Sequence, residues 1–258
     1  MPVHEVADAG FDREAQSYER ARPSYPPDCV AWFGHQLGIG PGRTVLDLAA
    51  GTGKFTRLLE PFGANLIAAE PVEGMRAVLA RTSSSVAILS CSAELLALRA
   101  ESLDAITVAQ AFHWFDAPVA LAEAARVLRP GGRLGLVWNA RDRSLPHVDA
   151  LWSIMDRVEK KAPWRKHDEW REAAFTETPY FGPLHEATFH HAPVMTVEEV
   201  VDRFRSVSHV AVLDDEQKMA VLDEVRAQAE SQLDDSVQDR ISIPYRVDAY
   251  WCEKRQPA

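Results

Sequence analysis

Two carboxylates, one run of small residues and one histidine are the groups in this chain best placed to do chemistry. Asp47 lies in an aliphatic stretch, Thr44 to Leu48, and Ala49-Ala50-Gly51-Thr52-Gly53 follows it. Side chains that small let backbone approach a ligand, and Gly51 and Gly53 can take a positive φ without strain. A carboxylate beside such a turn repels a pyrophosphate and pairs with an ammonium. Glu70 ends a second short apolar run, Asn65 to Ala69. In parallel nucleotide-binding sheets an acid in that position takes both ribose hydroxyls; a solvated strand-end acid is the plain alternative. His113 sits in Gln110-Ala111-Phe112-His113-Trp114-Phe115. With an unperturbed pKa of about 6.5, its imidazole can accept a proton near neutral pH, or it can simply shape a pocket.

The elements that must position these groups alternate. Thr44 to Leu48 reads as a buried parallel strand, and Lys54 to Glu60 as the helix after it. Strand, small-residue turn, helix is the beginning of a nucleotide-type site at the carboxyl end of a strand. Asn65 to Ala69, Val86 to Ser90, Ser102 to Ala109 and Arg133 to Asn139 read as further strands. Pro71 to Ala80 and Ala117 to Val127 read as helices between them. Leu128-Arg129-Pro130-Gly131-Gly132 reads as a sharp turn. Upstream, Phe11 to Arg22 is helix-compatible up to Pro23, the prolines to Pro27 stiffen an extended segment, and Pro27 to Leu37 is a helix. Downstream, Asp149 to Lys161 is amphipathic, and 163 to 175 mixes charges with Trp164, His167, Trp170 and Phe175. Phe181 to Pro193 looks like a strand. Thr196 to Ser208 is a helix opened by a Thr196/Glu199 capping box, and an acidic helix lies within Leu213 to Leu233. Arg240 to Cys252 alternates as a final strand, with Pro244 favouring an edge or a bulge.

Composition excludes several classes. The 258 residues, 47% hydrophobic, are ample for one core plus an insertion. A formal net charge of −10 argues against a broad nucleic-acid or anionic-membrane surface, which needs clustered Lys and Arg. No apolar run approaches the ~18 residues of a membrane span. The first residues, with Glu5 and Asp8, show no secretory pattern. Cys29, Cys91 and Cys252 have no metal spacing and suggest reduced thiols in the cytoplasm. His185, His190 and His191 lack the acids or cysteines of a metal site, so no metal is expected. Gly53-Lys54-Phe55 fails the P-loop pattern, and the dinucleotide fingerprint ends on Thr56 where it needs a third glycine.

The stretch from Asp47 to Gly53 resembles motif I of the class I S-adenosylmethionine (SAM) methyltransferases, Asp-x-Gly-x-Gly-x-Gly, with Ala49 replacing the first glycine. The Leu-Arg-Pro-Gly-Gly block before the fifth strand is a second resemblance, and four ordered segments match over residues 44 to 139. The Tyr-x-x-x-Arg-Pro-x-Tyr-Pro arm at 18 to 26 and His-Trp-Phe at 113 to 115 are similar to bacterial and fungal members, the trans-aconitate carboxyl type among them. The resemblance implies an α/β fold: a Rossmann-like, seven-stranded, mostly parallel sheet with helices on both faces and a helical insertion after the fifth strand. It implies one domain over 1–258, comprising a lid arm (1–28), a SAM-binding core (29–139), a substrate cap (140–182) and the rest of the sheet with helices (183–258).

The same resemblance implies the roles. Asp47, Ala49, Gly51 and Gly53 form the cofactor turn, and Glu70 takes the ribose. Pro71 and Met75 flank the adenine, and Ala93 and Glu94 lie at its edge. Gln110 and Ala111 present backbone carbonyls to the methionine ammonium. Tyr18 and Arg22 close the site, with Arg22 gripping the methionine carboxylate; a merely packing arm is the alternative. His113 is the candidate base, and Tyr25, Trp114, Trp138 and Trp164 are candidate walls for a small-molecule acceptor. The implied activity is methyl transfer, with O-methylation the favoured chemistry. A SAM-binding protein with a regulatory or non-methyl role, a nucleotide-linked dehydrogenase and a protein or RNA methyltransferase are the competing classes.

Overall fold

A computed structural model describes residues 19, 22–159, 174–176, 178–207, 210, 213–233 and 240–256. The elements, in order, are α1 (Pro27–Gln36), β1 (Thr44–Leu48), α2 (Lys54–Leu59), β2 (Asn65–Ala69), α3 (Glu73–Thr82), β3 (Ala87–Leu89), β4 (Leu103–Ala109), α4 (Ala117–Val127), β5 (Leu128–Arg141), α5 (Pro146–Glu159), β6 (His185–His191), β7 (Val194–Thr196), α6 (Val197–Arg205), α7 (Asp215–Glu230), β8 (Arg240–Ser242) and β9 (Tyr245–Glu253). Short 3₁₀ turns at Glu60–Phe62 and Phe112–Trp114 complete α2 and follow β4.

Seven strands form one sheet in the order β3-β2-β1-β4-β5-β9-β6. β3, β2, β1, β4 and β5 run parallel, and β9 is antiparallel to both β5 and β6. The order reverses between β1 and β4. Their carboxyl ends therefore flank the crevice where ligands of open α/β sheets bind.

Alternation along the strands supplies apolar surface to both faces. Val45 joins Phe33 of α1 and Leu37 at its C-terminal cap on one face, while Leu46 and Leu48 join Leu121 and Ala124 of α4 on the other. A third apolar cluster lies outside these two. Leu151, Trp152 and Met155 of α5 meet Val201 and Phe204 of α6, Val225 of α7, and Ile241 and Tyr245. Trp152 stacks on Phe204 with ring centroids 4.4 Å apart. The capping box forms as expected: Glu199 N donates to Thr196 Oγ1 and Thr196 N to a Glu199 carboxylate oxygen.

The structure differs from the sequence reading at two places. Leu128 to Gly132 does not end as a separate turn. β5 begins at Leu128, and its pairing with β4 steps from Leu103↔Leu128 to Ala105↔Arg133, so the intervening residues bulge out of the ladder. The stretch from Arg240 to Cys252 is two strands, because Pro244 has no N–H and the chain breaks there between β8 and β9. β8 pairs with β7 in a separate ribbon. α5 packs with α6 and α7; most of the stretch 163–175, Trp164 included, lies outside the described residues. So do Tyr18 and most of the helix expected over Phe11 to Arg22.

Gly53 caps α2 with φ 83°, and a Cβ there would sit 2.3 Å from Leu79 Cδ1 of α3. Gly53→Ala combines a left-handed backbone with an overpacked contact, a destabilisation of about 2–4 kcal/mol. Thermal melts of the two proteins check this, and an unchanged Tm would show that α3 yields at no cost.

Candidate active site

The carboxyl ends of β1, β4 and β5 open onto one cavity. The turn after β1 contributes Ala49, Ala50, Gly51 and Thr52, and α2 adds Lys54 and Phe55. β4 contributes Ala109 and Gln110, and β5 contributes Asn139. Arg22, Pro23 and Tyr25 line it from the arm before α1, and Arg203 lines it from α6.

Two non-glycine residues on this cavity hold positive φ: Ala49 at 54° and Gln110 at 60°. Each ends one of the two strands at the reversal. Such backbone costs of the order of 1 kcal/mol and persists where the surroundings enforce it. Gly51, at φ 59°, has no atom within 4 Å of a notional Cβ, so open space lies beside the turn. The turn is pinned by Ala50 N to Ala69 O at 3.0 Å and Gly53 N to Ala50 O at 2.9 Å. Gln110 is pinned by its N–H to Val137 O at 2.9 Å.

Asp47 is fully buried behind the turn. Thr56 Oγ1 donates to Oδ2 at 2.5 Å and Thr107 Oγ1 to Oδ1 at 2.9 Å. Both oxygens are engaged by hydroxyls, and Asp47 lies behind the cavity wall rather than on it. Its carboxylate ties β1 to α2 and β4. Burial pushes its pKa up to about 6, against the lowering effect of the two threonine hydroxyls.

Glu70 is 5% exposed at the end of β2. Its two oxygens accept from Gly51 N at 2.8 Å and Val72 N at 2.9 Å. Burial raises its pKa; those two N–H groups pull the other way. The acid thus stands directly against the small-residue turn.

The arm is fastened across the strand ends. Arg22 Nη2 donates to Ser206 O at 3.2 Å, Lys54 Nζ to Arg22 O at 2.5 Å, and Asn139 Nδ2 to Ser24 O at 3.2 Å. Tyr25 packs edge-on against Phe55 with centroids 5.0 Å apart. Burial lowers the Lys54 pKa; Glu19 opposes this, and Arg57, Arg22 and Arg203 add to it.

Of the residues expected at the site, Arg22, Tyr25, Ala49, Gly51 and Gln110 share this cavity. Pro71 and Met75 follow Glu70, with Met75 buried on α3. Ala93 is buried, and a Glu94 carboxylate oxygen accepts from Asp116 N at 3.0 Å, at the entry to α4. Ala111 is in the core, and His113 and Trp114 occupy the 3₁₀ turn beyond it, with ring centroids 5.0 Å apart and neither on the cavity wall. Trp138 is a correction. It is buried in the α4 face of the sheet against Tyr250, 6.1 Å between centroids, because its neighbours Val137 and Asn139 take the opposite side of the strand. Thr52, Lys54, Asn139 and Arg203 line the cavity without having been singled out in the sequence. Arg203 carried a readable signal, since with Val200 and Phe204 it falls at helical spacing on the apolar stripe of α6.

Comparison with known proteins agrees with this geometry. A family model described as a methyltransferase domain matches residues 46–136. An uncharacterized methyltransferase-like protein of Schizosaccharomyces pombe is 34% identical over 249 residues, spanning 96% of each chain. A proposed type II methyltransferase from Anaeromyxobacter dehalogenans has the same fold, with TM-score 0.65 and 24% identity over 90% of this chain and 96% of its own. Haemonchus contortus phosphoethanolamine N-methyltransferase 2, solved in complex with S-adenosyl-L-methionine, shares the fold over 99% of this chain and 60% of its own, with TM-score 0.59 and 16% identity. This chain belongs to the class I SAM-dependent methyltransferases, enzymes of the transferase class whose cofactor is SAM. No helix among the described residues is long and apolar enough to cross a membrane.

The raised pKa of Asp47 has a sign. A carboxyl that binds its proton more tightly folded than unfolded adds stability below its ordinary value of 3.8, and loses it as pH rises through about 6. Unfolding free energies of the wild type relative to Asp47→Asn are expected to fall by up to about 3 kcal/mol between pH 4 and pH 6.5. Parallel pH profiles for the two proteins would show that Asp47 titrates alike in both states.

Proposed function

We propose that this enzyme methylates a small-molecule acceptor, at oxygen, in the cytoplasm. The observation that carries the reading is the cavity at the β1/β4 reversal, walled by Ala49, Gly51 and Gln110 in positive-φ backbone and closed over by the arm from Arg22 to Tyr25. A crevice closed by an arm suits a small acceptor better than a polymer.

The residues present suit SAM. Gly51 leaves open space beside the turn, and Glu70, held there by Gly51 N, keeps free lone pairs for ribose hydroxyls. Gln110 and Ala111 offer backbone carbonyls to the ammonium, and Arg22 offers its guanidinium to the methionine carboxylate. Pro71 and Met75 follow β2, Met75 in the first turn of α3, and Ala93 and Glu94 follow β3, where the adenine end would lie. Asp47 acts one step back, by fixing the turn. SAM, when bound, supplies an electrophilic methyl on a positively charged sulfur. The chain's own work is to align the acceptor oxygen and keep water out. Tyr25 serves as a wall, and Trp114 and His113 stand on the 3₁₀ turn just beyond Gln110. An acceptor carboxylate arrives as the anion and needs no base; for a hydroxyl acceptor His113 takes the proton.

Titration calorimetry tests the cofactor assignments. Glu70→Ala is expected to raise the SAM dissociation constant at least tenfold, since each charge-assisted ribose bond is worth about 1.5–3 kcal/mol; an unaltered constant removes Glu70 from the site. Release of S-adenosylhomocysteine from SAM, driven by fractions of a metabolite extract, tests the acceptor class. Activity only with macromolecular fractions would refute the small-molecule reading. With a hydroxyl acceptor, His113→Ala is expected to lower turnover about 100-fold and to leave SAM affinity within twofold. Small, equal effects on both would make His113 a wall.

A further inference from the structure

Arg203 is an unusual residue to find on the cavity wall. It is 5% exposed, yet its Nε and Nη1 make no hydrogen bond. Its guanidinium lies 5.3 Å from the Trp152 ring, a contact that offers a π face and no anion. The other ring charge there, Arg141, with Cζ 3.8 Å from the same centroid, is again a cation. Buried guanidinium groups are normally paired, because an uncompensated charge out of water is costly. Selection for packing alone would put an aliphatic residue at this point of the α6 stripe.

The surroundings sharpen the case. Arg22, Lys54 and Arg203 all line the cavity, and among the described residues no Asp or Glu does. The nearby carboxylate of Glu19 is taken up by Arg57 and by Thr52 Oγ1. This concentration of positive charge occurs in a chain whose formal net charge is −10. The cofactor does not relieve it. SAM carries one carboxylate, which Arg22 is placed to take, against an ammonium and a sulfonium, so the molecule as a whole brings positive charge to Arg203. A counter-charge for Arg203 then comes from the other reactant.

We propose that Arg203 anchors an anionic acceptor, one bearing a carboxylate or a phosphate, in this cavity. The planar fork of a guanidinium suits both groups through paired N–H donors. Arg203 is then a specificity-determining residue, brought to the strand ends by α6 and held in orientation by Trp152. The proposal rests on the methyl-transfer reading above, and it deepens that reading by naming the charge of the acceptor.

The test uses the full chain saturated with S-adenosylhomocysteine and titrated calorimetrically at low ionic strength with citrate and, separately, with inorganic phosphate. Wild type is expected to bind at least one of them at one site; citrate binding alone assigns a carboxylate acceptor and phosphate binding alone a phosphorylated one. Arg203→Met should weaken that binding at least tenfold and leave the affinity for S-adenosylhomocysteine within twofold, while Arg203→Lys should retain part of the anion affinity. Because the guanidinium is unpaired, Arg203→Met should also melt no lower than wild type without anion. Failure of wild type to bind either anion would overturn the proposal. So would undiminished anion binding by Arg203→Met, a loss confined to S-adenosylhomocysteine affinity, or a melting temperature that falls while anion affinity stays. Absence of any heat with S-adenosylhomocysteine in wild type would instead defeat the cofactor assignment beneath it.

Discussion

The site depends on one buried carboxylate. Asp47 accepts hydroxyl hydrogen bonds from Thr56 and Thr107, and so joins β1, the first turn-helix unit and β4 at a single point. Taking a carboxylate out of water is unfavourable unless its lone pairs are met. The two threonines meet them, and each comes from an element that must be in register for the crevice to exist. Shift β4 against β1 by one residue and Thr107 turns to the other face. The positive-φ residues at the two strand ends sit just beyond this node, and their strained backbone is tolerable because the strands beneath them cannot slide.

A second layer of organisation is electrostatic. Glu70 is the acid at one end of the site, bound to the turn through Gly51 N, and the cations Arg22, Lys54 and Arg203 gather at the other. The acid suits a sugar at one end, and the cations suit anionic groups at the other. The cationic end is assembled from three distant parts of the chain: the arm, α2 and α6. Bonds from Arg22 to Ser206, from Lys54 to the Arg22 carbonyl and from Asn139 to Ser24 hold these parts together. Trp152, stacked on Phe204 with Arg141 over its ring, fixes the α6 side.

Much of the fold was legible because its strands are short apolar runs divided by strong punctuation. Thr44–Leu48 and Asn65–Ala69 coincide with β1 and β2, and the Thr196/Glu199 pair opens α6. Leu128 to Gly132 misled because Pro and Gly signal both a turn and a bulge, and only the neighbouring strand decides between them. Trp138 misled for a related reason. A strand-end aromatic near a site has two faces open to it, and one residue of register separates the cavity from the core.

The order of elements, the small-residue turn, the acid after β2 and the family itself were properties of the sequence, since each is written in neighbouring residues. Tertiary structure alone decided that Asp47 ties the framework together, because hydroxyls from Thr56 and Thr107 reach its oxygens only after β1, α2 and β4 have packed. It also decided that Arg203 belongs to the site. A charge on an apolar stripe is an anomaly in sequence; it acquires a purpose only when α6 folds back and sets that charge, buried and unpaired, against the ends of strands far away in the chain.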